Sequence, residues 1–212
     1  MPLGIVVGLA AEGRIARRLG QVGVGGGGPA GAEAAAERLV AGGATALLSF
    51  GLAGGLDPNL RPGDLVVPVV VLEDGQRFAT DEALCRGLGG ATAGVLLAAG
   101  AVVARAADKR ALSAQTGASA VDLESGGVAR VARAHRLPFA VVRAICDPAG
   151  RDLPPAALVA LDAEGGIRLL RVVGSLLARP WQIGGLLRLA ADAAAGRRGL
   201  VRAAAGLAGR MA

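Results

Sequence analysis

Four carboxylates in this chain stand where a sheet would deliver them to a ligand. Asp122 and Glu124 are one apolar residue apart in Ala120-Val121-Asp122-Leu123-Glu124-Ser125, at a strand-to-helix junction. Asp147 closes the apolar run Val142-Arg143-Ala144-Ile145-Cys146, and Glu12, the only acidic residue before Glu33, follows the first apolar run. Strand ends form the usual ligand crevice of α/β sheets. A carboxyl group among apolar neighbours, as Asp147 is beside Ile145 and Ala149, keeps its proton and can serve as an acid. An ionised carboxylate can instead stabilise developing positive charge. Plainer roles stand beside these: Asp147 as a helix cap, Glu124 and Glu12 as solvated first-turn carboxylates, and Arg143 as a structural ion-pair partner.

The elements that must position these groups are legible as apolar, β-rich runs at 3–9, 45–50, 65–72, 101–104 and 139–145. Helical patterns at 30–40, 108–115 and 124–136 lie between several of them. Continuous apolar strands alternating with helices predict a three-layer α/β domain with a largely buried central sheet. Two glycine turns complete the set: Gly51-Leu52-Ala53-Gly54-Gly55-Leu56 after an apolar strand, and Leu60-Arg61-Pro62-Gly63-Asp64-Leu65-Val66-Val67 launching another.

Composition narrows the function classes. The 212 residues are 53% hydrophobic with a net charge of +6, which invites nucleic-acid or anionic-membrane binding. Nucleic acid is disfavoured: Lys109 is the only lysine, the arginines are scattered, and only Phe50, Phe78, Phe139 and Trp181 could stack on bases. Cys85 and Cys146 have no metal or redox spacing, and no signal-peptide pattern opens the chain, so a cytoplasmic protein is expected. The uncharged stretches 39–56 and 87–104 are interrupted by glycines, which suits short buried strands better than spanning helices. Gly23-Val24-Gly25-Gly26-Gly27-Gly28 matches a dinucleotide fingerprint only nominally, since it follows the second strand and lacks its acidic partner. The lone histidine, His135, has no metal partners, no nucleophile elbow is present, and Cys146 reads as a packed thiol.

Taken together, the elements G-x-A-G-G-L, G-D-L-V-V, V-D-L-E and V-R-x-I-C-D, in this order and spacing over about Leu3 to Asp152, resemble the nucleoside phosphorylase and methylthioadenosine/S-adenosylhomocysteine nucleosidase superfamily. The short length, the abbreviated segment after Val67 and the basic, apolar C-terminus look most like its hopanoid-associated phosphorylases. The resemblance implies a phosphorylase-like fold, a homodimer, no metal or organic cofactor, and cleavage of an N-glycosidic bond that releases adenine from adenosylhopane. An ordinary methylthioadenosine/S-adenosylhomocysteine nucleosidase, or a non-catalytic nucleoside- or lipid-binding protein, are the alternatives.

Residue by residue, the resemblance implies that Asp147 donates a proton to purine N7 and that Glu12 activates water. Glu124 would bind the ribose hydroxyls, with Asp122, Leu123, Arg143, Ala53 and Gly54 completing the substrate site. Leu52 departs from the pattern by replacing a Ser or Thr hydroxyl, so phosphate and water both stay open as acceptor, with Arg14 the candidate phosphate ligand. A catalytic domain at 1–178 and a helical appendage at 179–212 are expected, the appendage placing Trp181, Ile183, Leu186, Leu187 and Leu200 among arginines, a pattern suited to peripheral membrane contact or to packing on the body.

Overall fold

A computed structural model describes residues 2–155 and 183–211. The chain runs β1 (Leu3–Val7), α1 (Ala10–Ala16), β2 (Gln21–Val24), α2 (Pro29–Ala41), β3 (Ala46–Gly55), β4 (Leu65–Val66), β5 (Pro68–Glu73), β6 (Gln76–Ala79) and α3 (Glu82–Gly87). It continues through β7 (Ala93–Ala98), α4 (Ala106–Thr116), β8 (Ala118–Asp122), α5 (Ser125–Ala134), β9 (Phe139–Asp147) and α6 (Ile183–Met211).

The strands form one mixed, curled sheet flanked by helices, in the order β2-β1-β3-β8-β7-β5-β6, with β9 paired to both β3 and β4. Its middle is buried on both faces, which is why the strands read as continuous apolar runs. Val6, Leu47 and Val141 pack on one side with Ala32, Ala35 and Leu39 of α2 and Val128 and Val131 of α5. Their neighbours Ile5, Val7, Leu48, Phe50, Ala140 and Val142 pack on the other, with Ala16 of α1, Cys85 of α3 and Leu200, Ala204 and Leu207 of α6. This is the period-two alternation of a strand sandwiched between helical layers.

Two local expectations change. Residues 51–55, read as a glycine turn, prolong β3: residues 51–54 pair with β9 on one side, and Gly54 and Gly55 meet Val121 and Ala120 of β8 on the other. Glycine serves close approach here, because a Cβ at Gly51 would overlap the Arg143 guanidinium. Residues 101–104 form no strand, leave Val102 exposed, and are replaced in the sheet by β7. Helix α6 seats Leu200, Ala204 and Leu207 in the core. Arg188, Arg197, Arg198 and Arg202 lie on its exposed side. The boundary expected between 178 and 179, with Trp181, lies outside the described residues.

Candidate active site

Strand β9 delivers Arg143, whose guanidinium is 1% exposed and gathers most of the carboxylates read from the sequence. It lies 2.5 Å from Asp122 Oδ2 and 3.2 Å from Glu124 Oε2, and donates to the hydroxyls of Ser49 at 2.7 Å and Ser125 at 3.2 Å. Ser125 donates in turn to Asp122 at 2.5 Å. Asp122 therefore holds Arg143 and accepts from the first N–H of α5, while Glu124 stands at the N-cap of that helix with its Oε1 against Gly8.

Glu12 arrives from α1 and is buried, not solvated. Its two oxygens accept from the backbone N–H of Leu9 at 2.8 Å and of Leu52 at 2.9 Å, so the short helix and the extension of β3 are tied through this one side chain. Gly8 and Gly51 make the room: a Cβ at the first would overlap Glu124 Oε1, and one at the second would crowd Glu12 as well as Arg143. Burial raises the pKa of Glu12 against the pull of Arg143. It raises Asp122 similarly, and pushes Glu124 up to about 7, with Asp122 and Glu12 adding repulsion.

A group that binds its proton more tightly in the folded state stabilises the fold below its unfolded pKa and loses that contribution as pH rises through the folded value. Stability to urea is therefore expected to fall between about pH 4.5 and about pH 7. Glu124→Gln should flatten that fall, and an unchanged slope in the variant would refute the assignment to Glu124.

Asp147 stands apart from this cluster, at the end of β9 and opposite Gly54 of β3. The register of β3 and β9 shifts between Ala53 and Gly54, so that Ala53 faces Ile145 while Gly54 faces Asp147, with Cys146 bulged out of the ladder. Such bulges re-aim side chains beside sites. Asp147 Oδ2 is 3.7 Å from where a Cβ on Gly54 would be. From Leu52, which binds Glu12, to Gly54, beside Asp147, is two residues, about 7 Å of strand. Burial raises the pKa of Asp147, and the Lys109 ammonium, 2.6 Å from Oδ2, opposes the rise.

The remaining sequence-derived residues play smaller parts. Ala53 packs its methyl into the core, so only its backbone is available, and Leu123 is half-buried at the bend between β8 and α5. Arg14 is exposed on α1. Burial pushes the Cys146 thiol up to about 12, which leaves it an inert neighbour. His135 meets Glu37 at the surface, 2.9 Å away, and the glycine run after β2 leans on β1 through Gly26 N–H to Gly8 O at 3.0 Å.

Sequence reasoning passed over Lys109, Ser49, Ser125 and Gly8. Only Lys109 carried a signal, as the sole lysine of the chain. A cavity of about 230 Å³ opens beside Asp147, bordered by Arg151, Leu153, Pro154, Leu189 and Asp192. A larger one, about 320 Å³, lies against Val69, Thr80, Cys85 and Arg86 and touches none of the four carboxylates.

The strand ends of this α/β sheet thus bring the buried cluster of Glu12, Asp122, Glu124 and Arg143 toward the separate Asp147. The chain belongs to the phosphorylase superfamily, whose profile matches residues 12–90 and 90–178. No curated protein matches the sequence. Among solved structures it is similar to a methylthioadenosine/S-adenosylhomocysteine nucleosidase of Helicobacter pylori, at 18% identity and a TM-score of 0.67 over 84% of this chain and 98% of that one. An adenine complex of the corresponding nucleosidase of Colwellia psychrerythraea is similar at 21% identity and a TM-score of 0.66, over 83% and 96%. A mutant futalosine hydrolase of H. pylori is similar at 20% and 0.62, over 68% and 89%. At these identities the likeness is one of fold.

Proposed function

We propose that the protein cleaves the N-glycosidic bond of a purine nucleoside, releasing adenine, with water as acceptor. The observation that carries this reading is the placement of Glu12 and Glu124 around Arg143 at one stretch of β3 and of Asp147 about two residues farther along it. A nucleoside laid along that stretch puts its ribose against the cluster and its base against Asp147. Ionised Glu124 accepts hydrogen bonds from the ribose hydroxyls and favours the positive charge that develops on the sugar. Asp147 protonates N7 as the C1′–N9 bond breaks, so the base leaves neutral. Glu12 takes a proton from the water that attacks C1′. The adenine bound in a structure of the same fold supports that base as the leaving group.

Water is favoured over phosphate by charge. Three carboxylates share one guanidinium, Arg143 is already engaged by Asp122 and Glu124, and the candidate anion ligand Arg14 points to solvent. With Arg143 so engaged, the cluster offers a phosphate dianion no uncommitted guanidinium. Leu52 offers no hydroxyl, and its N–H is held by Glu12.

The substrate in this proposal is an adenosyl compound with a large apolar 5′ group, of the adenosylhopane kind, acted on by a homodimer. Its support is the sequence resemblance, together with exposed Ile183, Leu187 and Val201 beside exposed Arg188, Arg197 and Arg198 on α6, a surface suited to anionic lipid. No described helix is long and apolar enough to cross a membrane.

Free adenine should be measured from adenosylhopane, methylthioadenosine and S-adenosylhomocysteine, with and without phosphate. Release from adenosylhopane is expected to be fastest, indifferent to phosphate, and nearly abolished in Glu12→Gln. A strict phosphate requirement overturns water as acceptor, and preference for a soluble nucleoside overturns the lipid substrate.

A further inference from the structure

Of the 23 basic residues in this chain, 22 are arginine, and the one lysine is 0% exposed against the proposed acid. Burying an ammonium is unfavourable unless its donors are satisfied. Those of Lys109 are: Nζ lies 2.6 Å from Asp147 Oδ2, 3.2 Å from Pro148 O and 3.0 Å from Arg151 O. Three acceptors converging on one nitrogen match three ammonium protons, whereas a planar guanidinium with five donors would leave some unpaired. A chain that otherwise uses arginine for every cation has an ammonium at the point where the shape of the acceptor set requires one.

We propose that Lys109 is the positioning residue of the acid: it grips Asp147 by one oxygen, presents the other to the purine, and compensates the carboxylate formed when the proton leaves. The proposal rests on Asp147 being the acid. In the step, the O–H bond of Asp147 breaks as N7–H forms, and the electron pair of C1′–N9 passes to the departing base. The new carboxylate remains in contact with the Lys109 ammonium until solvent returns a proton.

The other charged groups around Asp147 leave Lys109 in control of it. Arg151, from the following loop, pairs with Asp192 of α6 at 2.6 Å. Asp152 accepts from the Ala106 N–H at the start of α4 at 2.7 Å. Arg188 borders the cavity farther along α6, Glu12 is held by two backbone N–H groups, and the Cys146 thiol is neutral. Burial raises the proton affinity of Asp147, and among the groups that lower it Lys109 acts most directly.

An acid must hold its proton, so turnover falls as pH rises through its pKa. In Lys109→Met, the alkaline limb of kcat on a soluble adenosine analogue is expected to move up by about 1 to 3 pH units, the range exerted by an opposite charge in contact. Asp147 becomes a weaker acid, so kcat should drop about tenfold or more while KM changes little. A lysine that only staples the loop would lower stability and leave the limb in place, so an unmoved limb in folded Lys109→Met overturns the proposal.

The single lysine gives a second measurement that does not depend on that variant folding. Protein grown on ε-¹³C-lysine carries one labelled side chain, whose resonance is expected to shift through the alkaline limb in the native protein and to lose that inflection in Asp147→Asn. A resonance indifferent to the limb also overturns the proposal. Full activity of Asp147→Asn removes the acid assignment and this inference with it, whereas an inactive Asp147→Asn with an unmoved limb in Lys109→Met overturns the lysine role alone.

Discussion

Asp147→Asn is expected to fold normally and to turn over an adenosine substrate roughly 10²- to 10⁴-fold more slowly, the usual contribution of a positioned acid. Adenine departs poorly as an anion, and an amide cannot protonate N7. The fold should survive because the amide oxygen can still accept from Lys109, which also keeps Pro148 O at 3.2 Å and Arg151 O at 3.0 Å. Steady-state kinetics beside a thermal melt separates the two effects. Near-native turnover in folded protein would remove Asp147 from the chemistry.

The largest effect on stability is expected from Arg143→Met. Its guanidinium is 2.5 Å from Asp122 and 3.2 Å from Glu124, with Glu12 close enough to feel its charge. Removing one partner of a buried ion pair typically costs about 3–5 kcal/mol, a large share of the roughly 5–15 kcal/mol that holds an ordinary domain together. Methionine fills much of the volume, so the loss would be electrostatic and not a cavity effect. The deficit should shrink on acidification, because protonated carboxyl groups no longer need the cation. Urea unfolding at pH 7 and pH 5 checks the sign. A variant equally unstable at both would show that Arg143 matters through packing.

The sequence alone determined the class of fold, because continuous apolar runs between amphipathic helices have few solutions other than a sheet between helical layers. It also placed Asp122, Glu124, Arg143 and Asp147, since V-D-L-E and V-R-x-I-C-D each combine a local pattern with a strand end. Local pattern failed where the cause is distant in sequence. Gly51 reads as a turn residue until Arg143, distant in the chain but opposite it on the paired strand β9, is found in the space its Cβ would fill. For Glu12 the local pattern left a water-activating role and a solvated helix-start residue both open, and only the backbone of Leu52, from a distant strand, shows that it is buried. The bulge at Cys146 exists only in the register between two strands, and which residues of the amphipathic tail face the body, Leu200 and Leu207 among them, is set by its contacts with the core. Lys109 is the sharpest case: nothing local distinguishes it from an exposed helix lysine. Only the packing of α4 against the end of β9 turns it into a buried ammonium with three acceptors, because burial and charge pairing belong to contacts between elements and not to any one of them.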